Sequence, residues 1–393
     1  MLESESELRP SWILPDGVFT KGRIEGSRVV EIHNGVIRSV RSIEETPASV
    51  RIDRRSGILS PRPIDLQVNG GGGTLFNTSP SVQGIASIVD AHRTLGTGSI
   101  MPTLISDEAH VMNRATEAIL EAWGMEGLFG VHLEGPHISK KKRGTHSAGV
   151  LRPIDHHTFK NVGLLRQADI PTMVTLAPEI VDIQDIQRLV DLGVVVSLGH
   201  SNAEAGTVRK ALKAGATCFT HLYNAMSPFQ GREPGMVGAA LGSSALAGVI
   251  CDGHHVSFET LAIVLPGLMA EQRAFFVSDA MPTVGGPEEF ELYGSPIKVQ
   301  QGRLVNAEGS LAGAHITMKQ SMQLAATELS IDPELILQMA VSVPAKVMGL
   351  DHLADVRGMA TNKLCLWSKD FRSSESVSTP EGIQKAAHEC VDL

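Results

Sequence analysis

Two histidines occupy matching positions in the stretch Val194–Met226, VVVSLGHSNAEAGTVRKALKAGATCFTHLYNAM. His200 follows the apolar run Val194–Leu198, and His221 follows Thr217–Thr220. The first run is rich in β-branched residues and reads as a buried strand. A helix follows, with Asn202 as its expected N-cap, an apolar stripe of Val208, Ala211, Leu212 and Ala214, and Gly215 as its stop. The unit is strand, helix, strand, with a histidine at the C-terminal end of each strand. In a parallel α/β barrel that is the face where active sites lie.

Two carboxylates stand in the same relation to other apolar runs: Glu134 in HLEGP and Asp279 in SDAM. A carboxylate and two neutral imidazoles make a three-ligand site for zinc or a similar divalent ion. Such a site leaves a position open for water, whose pKa the ion lowers to roughly 7. Asp279 could then act as general base and later as general acid. His146 ends the run KKKRGTH in the loop that begins at Glu134, so it could reach and polarise a substrate carbonyl. Arg232 in GREPG and His255 in DGHH suit a phosphate through charge-assisted hydrogen bonds. The run Gly70–Gly73 is weak evidence for phosphate, because it lacks the lysine of a P-loop. His132 is expected to point to the other side of its strand or pack in the core, and His156, His157 and His352 to be solvated helix residues.

The elements that must hold these groups follow from the periodicity. Strands are expected at Ile64–Val68, Ser99–Thr103, Gly127–Leu133, Thr172–Leu176, Val194–Leu198, Thr217–Thr220, Ala247–Ile250 and Ala274–Ser278, with helical stripes between most of them. Eight such strands suit a closed (β/α)8 barrel of the TIM type. An open doubly wound sheet would gather ligands at one switch point instead of drawing loops from most strands. Before the barrel, short alternating segments at Arg28–His33 and Gly35–Val40 flank Asn34-Gly35, a two-residue hairpin signal. After it come a hairpin insertion at Phe290–Val305, helices near Thr317–Leu329 and Pro333–Met348, and a strand at Lys363–Trp367 that could rejoin the N-terminal module. Residues Ser373–Ser378 read as a loose loop. The expected division is a small β-sandwich domain from residues 1–60 and 358–393, and a catalytic barrel from 61–357.

The 393 residues are 42% apolar but only 4% aromatic, with 39 glycines, which suits many buried aliphatic strands joined by tight turns. A net charge of -9 argues against nonspecific binding to nucleic acid or to an anionic membrane. The first residues, MLESESELRPSW, lack the basic start and apolar core of a secretory signal, and no apolar run approaches the ~20 residues of a membrane span. Cys218, Cys251, Cys365 and Cys390 are scattered without CxxC spacing, as in a cytoplasmic protein with reduced thiols.

The segments IDLQVNGGGG (Ile64–Gly73), HLEGP (His132–Pro136), KKRGTH (Lys141–His146), GHSNA (Gly199–Ala203), THLYNAM (Thr220–Met226), GREPG (Gly231–Gly235), DGHHV (Asp252–Val256) and SDAM (Ser278–Met281) resemble the N-acetylglucosamine-6-phosphate deacetylases of the amidohydrolase superfamily. The resemblance implies a barrel plus a β domain built from both termini, assembled as a homodimer. It implies metal ligands Glu134, His200 and His221, a proton-transferring Asp279, and His146 on the acetyl carbonyl with Thr145 beside it at the substrate. Asn224, Ala225 and His255 would contact the sugar phosphate, Arg232 would reach the phosphate in the neighbouring subunit, and Leu311-Ala312-Gly313 would close over the sugar. Many amidohydrolases carry His-x-His at the end of the first strand for a second metal. Here the positions read Gln67-Val-Asn69, which implies one ion per subunit, zinc by preference, with iron, manganese or cobalt as alternatives. Ser60-Pro-Arg-Pro63 replaces the usual Pro-Gly-Phe, and Thr361-Asn-Lys-Leu364 lacks the usual Gly-Lys-Asp-Ala-Asp. Both differences fall in the β module or its junction. The expected reaction is hydrolysis of N-acetylglucosamine 6-phosphate to glucosamine 6-phosphate and acetate in the cytoplasm. The rival readings are a barrel amidohydrolase or deaminase acting on another amide or a nucleobase, and a catalytically silent sugar-phosphate-binding protein.

Overall fold

From Ile64 onward the apolar runs pair in chain order as eight parallel strands of one sheet. They are Ile64–Val68, Ser99–Ile105, Val131–Glu134, Thr172–Leu176, Val195–Leu198, Cys218–Phe219, Leu246–Val249 and Ala274–Phe276. The computed structural model describes residues 10–306, 309 and 311–377. Helices Val82–Thr94, Ala109–Ala122, His156–Gln167, Ile183–Asp191, Ala205–Lys213, Gly235–Leu241 and Phe258–Ala270 alternate with the strands. Several start where a side chain satisfies a free amide: Ser81 accepts from Gly84 N at 3.1 Å and Asp155 from Thr158 N at 3.0 Å. Their buried faces, including Ile88, Ile119, Leu165, Leu189 and Val208, pack on Leu133, Val174, Val196 and Phe219 of the strands. Each fully buried side chain of this kind contributes roughly 1.5–3 kcal/mol.

First and last strands meet through a few specific bonds at their C-terminal ends. Asp279 N donates to Gln67 O at 3.0 Å, Asn69 N donates to Ala280 O at 2.9 Å, and the Asp65 carboxylate accepts from Ser278 N at 3.2 Å. The seam of the barrel therefore fixes Gln67 and Asn69 beside Asp279.

A separate seven-stranded sheet is built from both ends of the chain. Ser11–Thr20, Arg23–Glu25, Arg28–His33, Val36–Ser42 and Ile52–Pro61 are joined by Leu364–Trp367 and Ser374–Ser376. Asn34 and Gly35 both take positive φ, 51° and 68°, as a two-residue hairpin turn requires. Ser60 accepts the indole N–H of the buried Trp367 at 2.9 Å, so this unusual junction residue ties the two termini together.

The structure differs from the sequence reading at several elements; the expected strand Gly127–Leu133, for one, spans Val131–Glu134. Asn202 does not cap a helix: the helix begins at Ala205, and Asn202 N instead donates to Glu179. The insertion is a three-stranded meander, Glu289–Leu292, Ser295–Gln300 and Arg303–Val305, because Gln301-Gly302 adds a second tight turn to that at Tyr293-Gly294. The expected helix Pro333–Met348 is interrupted by a wider π turn at Gln338–Ser342, just before Pro344, whose missing N–H breaks the regular ladder. Ser374–Ser376 is a strand and not a loose loop, since it pairs with the free edge of Leu364–Trp367. Ser378, Cys390 and the outer ends of the proposed β domain lie outside the described residues. Cys218, Cys251 and Cys365 are buried free thiols. Among the described residues, no helix is long and apolar enough to cross a membrane.

Candidate active site

At the C-terminal rim of the barrel, Glu134 ends the third strand, while His200 and His221 lie just beyond the fifth and sixth. Both histidines adopt positive φ, 46° and 31°, which turns their rings inward; such backbone strain in residues with side chains concentrates at functional sites. Gly199 allows the turn, for a Cβ there would meet Thr220 Cβ at 2.9 Å. His221 Nε2 and His200 Nε2 lie 3.0 and 3.2 Å from Glu134 Oε1, and 3.0 Å from each other. His200 Nδ1 is 2.8 Å from the Lys142 carbonyl and can only donate to it, so a neutral ring aims its Nε2 lone pair at the cluster. Two imidazole nitrogens and one carboxylate oxygen thus share a point that only positive charge can satisfy. Their separations are close to those of ligands about 2.1 Å from a common ion. All three residues are buried, and their ligand atoms lie within 4.8 Å of one another, so they could hold a metal. Burial opposes the Glu134 charge, yet the adjoining His200 and His221 rings hold its carboxyl well below the ordinary range. His221 is raised, because the Glu134 carboxylate outweighs the effect of burial.

Asp279, also at positive φ (50°), faces this cluster from beyond the eighth strand. Asn69 Nδ2 donates to its Oδ1 at 2.6 Å, and Gln67 Nε2 donates both to that oxygen at 3.2 Å and to Glu134 at 3.0 Å. The amides at the positions of a second-metal motif are therefore engaged as hydrogen-bond donors between two carboxylates. Burial, and then the charge of Glu134, raise the Asp279 pKa, which gives this carboxyl an affinity for a proton suited to acid and base work.

His146 packs its ring 4.5 Å from that of His200. Its Nδ1 accepts from Ser106 N at 3.2 Å and lies 2.7 Å from Ser106 Oγ. Burial, reinforced by His200, lowers its pKa to about 3, so the ring is neutral and its one hydrogen sits on Nε2. That N–H is a donor with no proton to lose, the property a developing oxyanion needs. The cleft offers a cavity of about 150 Å³, and Thr145, Asn224, Ala225, His255, Leu311 and Gly313 line it with these groups.

No family model matches the chain. The N-acetylgalactosamine-6-phosphate deacetylase of Shewanella is 38% identical over 353 residues, covering 88% of this chain and 89% of that protein. The N-acetylglucosamine-6-phosphate deacetylase of Haemophilus influenzae is 32% identical over 85% of this chain and 88% of its own. The chain belongs to the N-acetylglucosamine-6-phosphate deacetylase family. The solved structure of the family member from Pasteurella multocida superposes with a TM-score of 0.84 at 30% identity, covering 92% of this chain and 96% of that one.

In this member of the deacetylase family, His255 is held by Asp252, whose Oδ2 accepts from Nδ1 at 2.6 Å, leaving Nε2 for a ligand. Arg232 is solvent-exposed and lies outside the cleft of its own chain. Ala312 buries its side chain among Leu292, Ile297 and Leu304, so only its neighbours Leu311 and Gly313 line the cleft. Gly70–Gly71 pairs as a short strand with Thr74–Leu75, Gly72 and Gly73 turn between them at positive φ, and Gly70 O accepts from the buried His92, a structural role. His132 does pack in the core, but on the same side as Glu134, as the two-residue period requires. It bonds Thr175 Oγ1 at 2.7 Å, and that hydroxyl meets Thr220 Oγ1 at 2.6 Å. Sequence reasoning missed Ser106 and Asp252. For Asp252 the signal was present, since an aspartate three residues before His255 closes a local turn. For Ser106 there was none, because its partner lies 40 residues away.

Proposed function

We propose that this chain hydrolyses the N-acetyl group of N-acetylglucosamine 6-phosphate, giving glucosamine 6-phosphate and acetate. The observation that carries this reading is the meeting, in one cleft of a deacetylase family member, of the Glu134, His200 and His221 donor set with a proton-seeking Asp279 and a neutral His146. Glu134, His200 and His221 hold one divalent ion, with zinc suited to one carboxylate and two imidazoles and Fe2+, Mn2+ or Co2+ as alternatives. When bound, that ion supplies Lewis acidity toward the amide carbonyl and lowers the pKa of water. Asp279 takes the proton of the attacking water; its Oδ1 is occupied by Asn69 and Gln67, so Oδ2 carries the proton. His146 donates its Nε2 hydrogen to the carbonyl oxygen as negative charge gathers there. Protonated Asp279 then passes its proton to the departing amine, and acetate leaves.

Asn224, Ala225 and His255 receive the phosphate end, Thr145 and the backbone of Leu311-Ala312-Gly313 enclose the sugar, and Arg232 completes the phosphate site of a second copy in a cytoplasmic homodimer. The exposure of Phe229 (62%) and Ile263 (80%) supports such an interface. The catalytic unit is residues 61–357, with 1–60 and 358–393 as the accessory β domain.

One observation favours a second substrate reading: the 38% identical Shewanella relative is named for the galactosamine epimer. Acetate release should be measured with both epimers and with their unphosphorylated forms. The proposal expects turnover of N-acetylglucosamine 6-phosphate and at least a tenfold loss in kcat/KM without the phosphate. Turnover confined to the galacto epimer would move the substrate assignment, and indifference to phosphate would favour another barrel amidohydrolase. Binding without acetate release from metal-loaded protein would mean a silent sugar-phosphate binder.

A further inference from the structure

The inserted meander meets the residues around the cleft at two points, and only one belongs to the segment proposed to enclose the sugar. At one end Val305 pairs with Leu311, leading into Leu311–Gly313, while Leu292, Ile297 and Leu304 pack on Ile105, Met281 and Ala312. At the other end is the tight turn Tyr293-Gly294. Tyr293 takes φ 50°, a conformation that asparagine or glycine adopts more easily, yet a tyrosine is there. The residue as a whole is 40% exposed, but its hydroxyl donates to the Ser106 carbonyl at 2.6 Å, across 187 residues of chain. Ser106 is the buried residue whose N–H and hydroxyl face His146 Nδ1. Ser106 is also seated against Gly135, where a Cβ would lie 2.3 Å from Ser106 Oγ. The next carbonyl, that of Asp107, is held by Arg152 at 2.9 Å. A strained turn residue thus grips the one residue that sets the tautomer of His146.

We propose that the Tyr293 hydroxyl, acting through Ser106, is a positioning group for His146, so that docking of the inserted meander sets the aim of the carbonyl-polarising N–H. This rests on the reading that His146 polarises the acetyl carbonyl.

The test uses zinc-loaded full-length protein and N-acetylglucosamine 6-phosphate, or its galacto epimer if that is the one turned over. Tyr293→Phe should lower kcat by about 5- to 20-fold with KM within about twofold, as expected when an interaction specific to the transition state is weakened. Nitrogen-15 NMR should show the His146 ring as a single Nε2–H tautomer in the parent and as a mixture in the variant, a signature that mere loss of stability does not produce. Ser106→Ala removes the hydroxyl beside His146 but keeps the backbone N–H and carbonyl of residue 106, so it should also lower kcat, and the double variant should fall by less than the product of the two single effects. A Tyr293→Phe enzyme with parental kcat and tautomer, alongside a His146→Ala enzyme at least about 100-fold impaired, would overturn the inference and leave the catalytic reading intact. Full additivity in the double variant would overturn the route through Ser106. An active His146→Ala enzyme would remove the reading itself.

Discussion

His132 and Glu134 are two residues apart on one strand and both are buried, yet they belong to layers with opposite character. In the lower layer every hydrogen-bonding group is answered from within: His132 by Thr175, Thr175 by Thr220, and Thr220 by Ser197 at 2.6 Å. In the rim layer, Glu134, His200 and His221 turn acceptors toward one another, and His200, His221 and Asp279 leave the strands at positive φ. Burial and residue type are shared, so neither makes the site. What separates the layers is convergence of lone pairs on a strained backbone, since a satisfied network is stable and inert while a convergent one requires a cation.

The comparison breaks most sharply at Asp279. Asp279→Asn should cut acetate release by at least about 10³-fold while elemental analysis still finds the metal bound, because the amide keeps the shape but cannot carry the proton. Near-normal turnover would reduce the rim to a binding site. Next in size, His221→Ala should drop bound metal from about one ion per chain to a small fraction after dialysis at micromolar free metal, with loss of activity. Full metal retention would place the ion elsewhere.

In the lower layer, Thr220→Val should cost about 1–3 kcal/mol in chemical denaturation, because the buried hydroxyls of Thr175 and Ser197 lose their shared partner. Its kcat should fall by less than about threefold; a loss as large as that of Asp279→Asn would merge the two layers.

The smallest effect sharpens the picture at the seam. Burial, with a minor contribution from Asp279, pushes the Asp65 carboxyl up from 3.8 to about 7, against opposing hydrogen bonds from Ser278 and Gln67. Between these values the folded chain holds a proton that the unfolded chain has released. This group therefore makes stability fall as pH rises from about 4 to about 7, with no further change above. Asp65→Asn should raise Tm relative to the parent by more at about pH 8 than at about pH 4.5, and an equal difference at both would show that Asp65 does not titrate in this window.

Much of this was legible in the sequence because the relevant rules are local. Apolar runs of four to seven residues marked all eight strands, and a functional side chain just past a run marked Glu134, His200, His221 and Asp279. The rest was hidden where partners are distant or where two local signals compete. Ser106 looks like any strand-end serine, and only the fold brings it to His146. Gln67 and Asn69 signalled the absence of two ligands but not the bonds they make instead. Asn202 matched an N-cap pattern, but Glu179 captured its amide and the helix began three residues later. At Pro344 the warning was present, and the helical period around it was given more weight than the missing donor.

The Gln67 amide has two hydrogens and points one at each of two carboxylates, so a neutral group separates Glu134 from Asp279. A neutral bridge is neither removed by chelators nor titrated by ordinary buffers. Asp279 should therefore keep its place with or without an ion, and under the proposed function adding metal to stripped protein should restore turnover in the time of ligand exchange instead of the time of refolding.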